Sequence, residues 1–117
     1  MRLPLQITFR NLAPSQTMEA AIQEGVDKLE HVYRHIIGCH VTIEATHHQN
    51  RETHRVRIDL TVPGAELVVG EEVSDHNSRG DAYVAIHEGF HEMRRRLQQY
   101  ARRRRGDVKQ HTAGTSR

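Results

Sequence analysis

Arg55-Val56-Arg57-Ile58-Asp59-Leu60-Thr61-Val62-Pro63-Gly64-Ala65-Glu66-Leu67-Val68-Val69 is the stretch that decides how this chain folds. Val56, Ile58, Leu60 and Val62 alternate with Arg55, Arg57, Asp59 and Thr61, the period of two that gives a strand one apolar and one polar face. Pro63-Gly64 puts proline second and glycine third in a turn, as a type II turn requires. Leu67 and Val69, with Val73 beyond them, open a further alternation. A hairpin with one wet face thus lies mid-chain, and the remaining elements must cover its apolar side.

Working outward, Cys39, Val41, Ile43 and Ala45 alternate with His40, Thr42, Glu44 and Thr46, a strand that precedes the hairpin. His47 to Thr53 reads as a polar loop and Gly38 as a point of chain reversal. Leu3, Leu5, Ile7 and Phe9 alternate over residues 3–10, ended by Asn11 to Pro14. Met18, Ile22, Val26, Leu29 and Tyr33 recur at helical spacing over 15–34, with Ser15 available as a cap. Residues 74–80 read as loop, with Ser78 and Asp81 spaced for a capping box. Ala82, Ile86, Phe90, Met93, Leu97 and Tyr100 set the inner face of a last helix over 81–105, about 37 Å long, whose basic end is expected to project past the body.

The order β-α-β-β-β-α is an α+β fold. One four-stranded sheet with both helices packed on one face satisfies every apolar stripe. The other face is expected to carry Arg10, His40, Thr42, Arg55 and Arg57. The domain spans 1–105, and 106–117 is read as a flexible basic, polar tail.

Charge is split along the chain. Residues 1–93 hold 8 Lys/Arg against 14 Asp/Glu, and residues 94–117 hold 9 against 1. Seven arginines fall within twelve positions: Arg94, Arg95, Arg96, Arg102, Arg103, Arg104 and Arg105. His87, His91, Arg94, Arg95, Gln98, Arg102 and Arg105 share a second stripe of that helix. Arginine forks suit phosphate oxygens, so a polyanion, foremost RNA, is the expected partner. The plainer alternative is a solvated helix end, its arginines paired with Glu88 and Glu92. Cys39, the single cysteine, permits no intrachain disulfide and fits a reducing cytoplasm. No segment reads as a signal peptide or a membrane span.

Several residues resemble the short ribosome hibernation factors, the family of hibernation promoting factor and ribosome-associated inhibitor A. They are Lys28-Leu29-Glu30, His35-Ile36-Ile37, Pro63-Gly64-Ala65-Glu66-Leu67 and, most specifically, Asp81-Ala82-Tyr83-Val84-Ala85-Ile86 followed by Arg95 and Leu97. The resemblance implies a fold similar to the double-stranded RNA-binding domain with an added N-terminal strand. It implies binding in the mRNA and tRNA channel of the small ribosomal subunit under stress or in stationary phase. Glu92 and Gln99 stand where the family usually has lysines, and the 74–80 loop reads as longer than usual. The expected RNA-binding residues are the seven arginines with Lys28, Tyr83, Arg55 and Arg57. Tyr83 can equally pack against the sheet edge.

His87-Glu88-Gly89-Phe90-His91 matches H-E-x-x-H, the zinc-hydrolase signature. No third ligand follows at a suitable spacing, and Arg94 and Arg95 repel a cation, so no metal, cofactor or catalysis is expected. His31, His35, His47, His48 and His54 read as surface histidines. The expectation is therefore a non-catalytic, cytoplasmic protein, a monomer off the ribosome, whose partner is the small subunit and its RNA. No membrane and no small-molecule substrate is expected. A general structured-RNA-binding module of the same fold and a zinc hydrolase are the alternatives.

Overall fold

Gly64 takes φ +80°, the left-handed value that the third position of a type II turn demands. In the computed structural model this turn joins β3 (Arg51–Val62) to β4 (Ala65–Asp75), with Val62 opposite Ala65 in the register. The other elements are β1 (Leu5–Arg10), α1 (Gln16–Val32), β2 (Gly38–His48) and α2 (Ser78–Ala113). The structure describes residues 4–48, 51–75 and 78–113, with side chains for 4–46, 53–70 and 82–104.

The sheet order is β1-β2-β3-β4. β1 runs parallel to β2, so the chain must cross over between them, and α1 is that crossover. Asn11, at φ 61°, ends β1 in the left-handed region that asparagine tolerates. Ser15 caps α1 by accepting a hydrogen bond from the Met18 amide at 3.2 Å.

All apolar stripes meet in one core. Val41, Ile43, Val56, Ile58 and Leu60 from the sheet pack with Ile22, Val26 and Leu29 of α1 and Ile86, Phe90, Met93 and Leu97 of α2. Both helices therefore cover the same face, as the patterning implies.

Five expectations need correction. Within the polar run 47–53, read as a loop, His47 and His48 belong to β2 and Arg51 to Thr53 belong to β3, paired as far as His48 opposite Arg51. Main-chain hydrogen bonds hold a ladder whatever the side chains, so an established register propagates through polar residues. For the same reason β4 runs on to Asp75, into the stretch read as a long loop. α2 begins at Ser78 and continues to Ala113, so 106–113, assigned to the tail, continue the helix. Gly38 opens β2, and the reversal lies at Arg34 and His35.

His54, expected on the surface, is 4% exposed on the core side of β3, opposite Ala45 and Val73 in the register. The alternation that buries Val56 and Ile58 carries it inward. Leu3, the Ser78–Asp81 capping box and the side chains of His47, His48 and Arg105 lie outside the described residues.

Candidate nucleic-acid interface

Consecutive residues on an α-helix point about 100° apart, so runs of three and four arginines must radiate around α2 rather than share one stripe. The core takes Met93 and Leu97, and the arginines are distributed over what remains.

One flank of α2 faces α1. Tyr83, His87, His91 and Arg94 form one wall of a groove of about 380 Å³, and Ala21, Glu24, Gly25 and Lys28 form the other. Leu29, Ile86 and Phe90 make its apolar floor. The groove continues past His31 and Val32 of α1 towards Gln98 and Arg102 of α2. On α1, positions 21, 25 and 28 recur at the spacing that faces one neighbour. Gly25 allows the two helices to approach, because a Cβ there would lie 2.6 Å from Phe90 Cγ. Lys28 of α1 thereby comes to line the same groove as Tyr83 and Arg94, which lie about three turns apart on α2.

The remaining arginines divide into tethered and untethered. Arg95 grips Glu92 with two donors, Nε to Oε1 at 3.1 Å and Nη2 to Oε2 at 2.6 Å. Arg96 Nε donates to the same carboxylate at 3.1 Å, and its Nη1 to the Val68 carbonyl at 2.9 Å. Hydrogen bonds from Arg95 and then Arg96 hold the Glu92 carboxyl down to about 2. Arg104 Nη1 donates to the Pro63 carbonyl at 3.1 Å and to the Tyr100 hydroxyl at 3.0 Å, and its guanidinium lies 5.6 Å from the Tyr100 ring centroid. Tyr100 itself donates to Pro63 at 2.5 Å. Arg94, Arg102 and Arg103 are exposed and have no ion pair or hydrogen bond among the described residues. The expected stripe therefore divides, with Arg94 and Arg102 on the groove side and Arg95 turned to Glu92.

Arg55 and Arg57 lie on the open sheet face with Arg10, His40 and Thr42, as the alternation implied. Glu44 and Asp59 stand among them, and Arg57 Nε donates to Asp59 at 3.1 Å. Arg10, Glu44 and Arg55 are neighbours in one row across three strands, alternating in sign. This face sets Glu44 and Asp59 among Arg10, Arg55 and Arg57, whereas the α1–α2 groove carries Glu24 as its single carboxylate.

A family model described as sigma 54 modulation protein / S30EA ribosomal protein matches residues 5–105. The chain belongs to that family. The resemblance to ribosome hibernation factors drawn from Asp81 to Leu97 is borne out at family level. The fold is similar to that of a ribosomal subunit interface protein from Coxiella burnetii, with a TM-score of 0.67 and 14% identity over 85% of this chain and 98% of that one. It is also similar to the N-terminal domain of Protein Y from Thermus thermophilus, with a TM-score of 0.61 and 17% identity over 86% of this chain and 99% of that one. Among curated proteins no sequence relative matches.

His87 and His91 share the groove wall, one turn apart, with Glu88 exposed beside them. Among the described residues no group of three or more His, Cys, Asp or Glu side chains comes together as a metal site would need. No helix among those residues is long and apolar enough to cross a membrane. Sequence reasoning missed the histidines as groove residues. Their spacing from Arg94 was visible, but the identity of the facing helix was not.

Proposed function

We propose that this member of the family binds the small ribosomal subunit, occupies its mRNA and tRNA channel and silences translation under stress or in stationary phase. It acts by occupancy rather than catalysis, in the cytoplasm, as a monomer when off the ribosome and without a cofactor. Membership of a family described by a ribosomal protein supports the partner. The observation that carries the RNA reading is the convergence of Lys28 from α1 with Arg94 and Arg102 from α2 along one seam.

Cations on two elements fixed by a shared core form a preorganised phosphate-binding line. Each phosphate they neutralise releases counterions, which gives affinity without sequence reading. Beyond Arg104 the helical backbone continues through nine more residues, about 13 Å, and takes Lys109 with it.

Sedimentation of tagged protein from stationary-phase cells tests this reading. Co-migration with the small subunit or the whole ribosome is expected, with a log–log salt slope of about −3 to −6. Protein left at the top of the gradient, or binding that ignores salt, overturns it. Equal affinity for unrelated folded RNA would transfer the reading to a general RNA-binding module.

A further inference from the structure

The groove between α1 and α2 has a feature that phosphate contact alone does not require. An RNA backbone needs only a line of cations, yet between Lys28 and Arg94 the molecule offers an apolar recess floored by Leu29, Ile86 and Phe90. At about 380 Å³ it lies at the small end of the range for ligand pockets, which typically combine an apolar floor with a few polar groups at the rim. Tyr83, His87 and His91 are among the residues that line it. Aromatic and imidazole rings are the groups on which unstacked RNA bases lie.

The geometry points to a nucleotide-binding recess: one unstacked RNA nucleotide enters the α1–α2 groove, its base over the apolar floor beside Tyr83 and His87 and its phosphate between Lys28 and Arg94. This inference rests on the RNA-binding reading above and names the part of the RNA that the groove takes. A free mononucleotide has the same chemistry. RNA is favoured because the cationic seam does not stop at one phosphate. Arg102 lies eight residues beyond Arg94 along α2, about 12 Å, on the same flank of the helix. A single nucleotide leaves that arginine unused, whereas a strand leaving the recess follows it.

Two substitutions separate recess binding from electrostatic docking. Ala21→Trp fills the groove from within and changes no charge. Glu24→Trp covers it from an exposed rim position and removes a carboxylate, which by charge alone would tighten RNA binding. Both should weaken ribosome co-sedimentation at least tenfold. Gln23→Trp, the same bulk on an exposed α1 position outside the groove, should leave it unchanged. Dispersed amide spectra establish that each variant is folded.

In parallel, the wild-type protein is titrated with adenosine 5′-monophosphate and with a single-stranded RNA trinucleotide while the His87 and His91 imidazole resonances are followed. The trinucleotide should shift both at a concentration at least tenfold below that needed for the mononucleotide. Folded groove-filled variants that sediment like wild type overturn the recess while leaving the ribosome reading standing. Equal potency of the two ligands overturns the RNA source in favour of a free nucleotide. If wild-type protein does not sediment with ribosomes, the ribosome reading falls, and the trinucleotide shifts alone then uphold or overturn the recess.

Discussion

Gly25 of α1 and Phe90 of α2 are a matched pair: a Cβ on the glycine would lie 2.6 Å from Phe90 Cγ and 2.8 Å from both Cδ atoms. The absent side chain on one helix is the space that the ring on the other occupies. This contact sets how closely the helices approach, and so the width of the groove whose walls carry Lys28 and Arg94.

Gly25→Ala should therefore destabilise the fold although alanine is the better helix former. Overpacking costs about 1–3 kcal/mol, and roughly 1 kcal/mol returns from helix propensity, for a net loss of up to about 2 kcal/mol in urea unfolding. Phe90→Leu in the same chain should relieve the clash. A double-mutant cycle with no coupling between positions 25 and 90 would show that the contact does not constrain the helices.

Tyr100→Phe removes the hydroxyl that donates to the Pro63 carbonyl and accepts from Arg104. Because Arg104 still donates to Pro63, the expected loss is modest, about 0.5–1.5 kcal/mol, with an unchanged denaturant slope. No change in the urea midpoint would mean that water replaces the phenol at the hairpin.

Untethered and tethered arginines should behave differently towards RNA. Replacing Arg94, Arg102 and Arg103 together by alanine should flatten the salt slope of binding by about 2–3, at little cost to the fold. Glu92→Gln should do the opposite, strengthening binding by releasing Arg95 and Arg96 from their carboxylate. Affinity measured across a salt series checks both. A Glu92→Gln protein that binds more weakly than wild type would mean that the carboxylate positions the arginines for their phosphates.

Burial, and then Asp59, pushes the Cys39 thiol up to about 12 from its ordinary 9.0. The folded pKa is above the unfolded one, so this group's contribution is complete below pH 9.0 and is lost as pH rises towards about 12. Stability should decline across that window, and Cys39→Ala should lessen the decline, leaving the share of Tyr33, whose hydroxyl is also raised by burial. At pH 8 a disulfide reagent should label Cys39 only as fast as the protein opens. Immediate labelling of native protein would refute its burial.

The central hairpin, the helix faces and the element order were legible because each rests on local periodicity. Val56 to Val62 alternates whatever surrounds it, and Gly64 must adopt positive φ for the turn to close. The extension of β2 to His48 and the start of β3 at Arg51 were not legible, since polar side chains give no alternation and main-chain pairing is blind to them. Arg55 and Arg57 could be assigned to the open face from the pattern, but Asp59 as the partner of Arg57 emerged only in the folded sheet.

By itself the sequence determined that basic charge collects on the last helix and that Ile86, Phe90, Met93 and Leu97 face inward. Tertiary structure alone decided which arginines are available. Arg94 borders α1, Arg96 reaches the Val68 carbonyl, and Arg104 is held at Pro63 by Tyr100. The physical reason is that helical periodicity specifies the angle of each side chain about its own axis, whereas what lies at that angle depends on how the helix packs against segments 28 to 66 residues away in the chain.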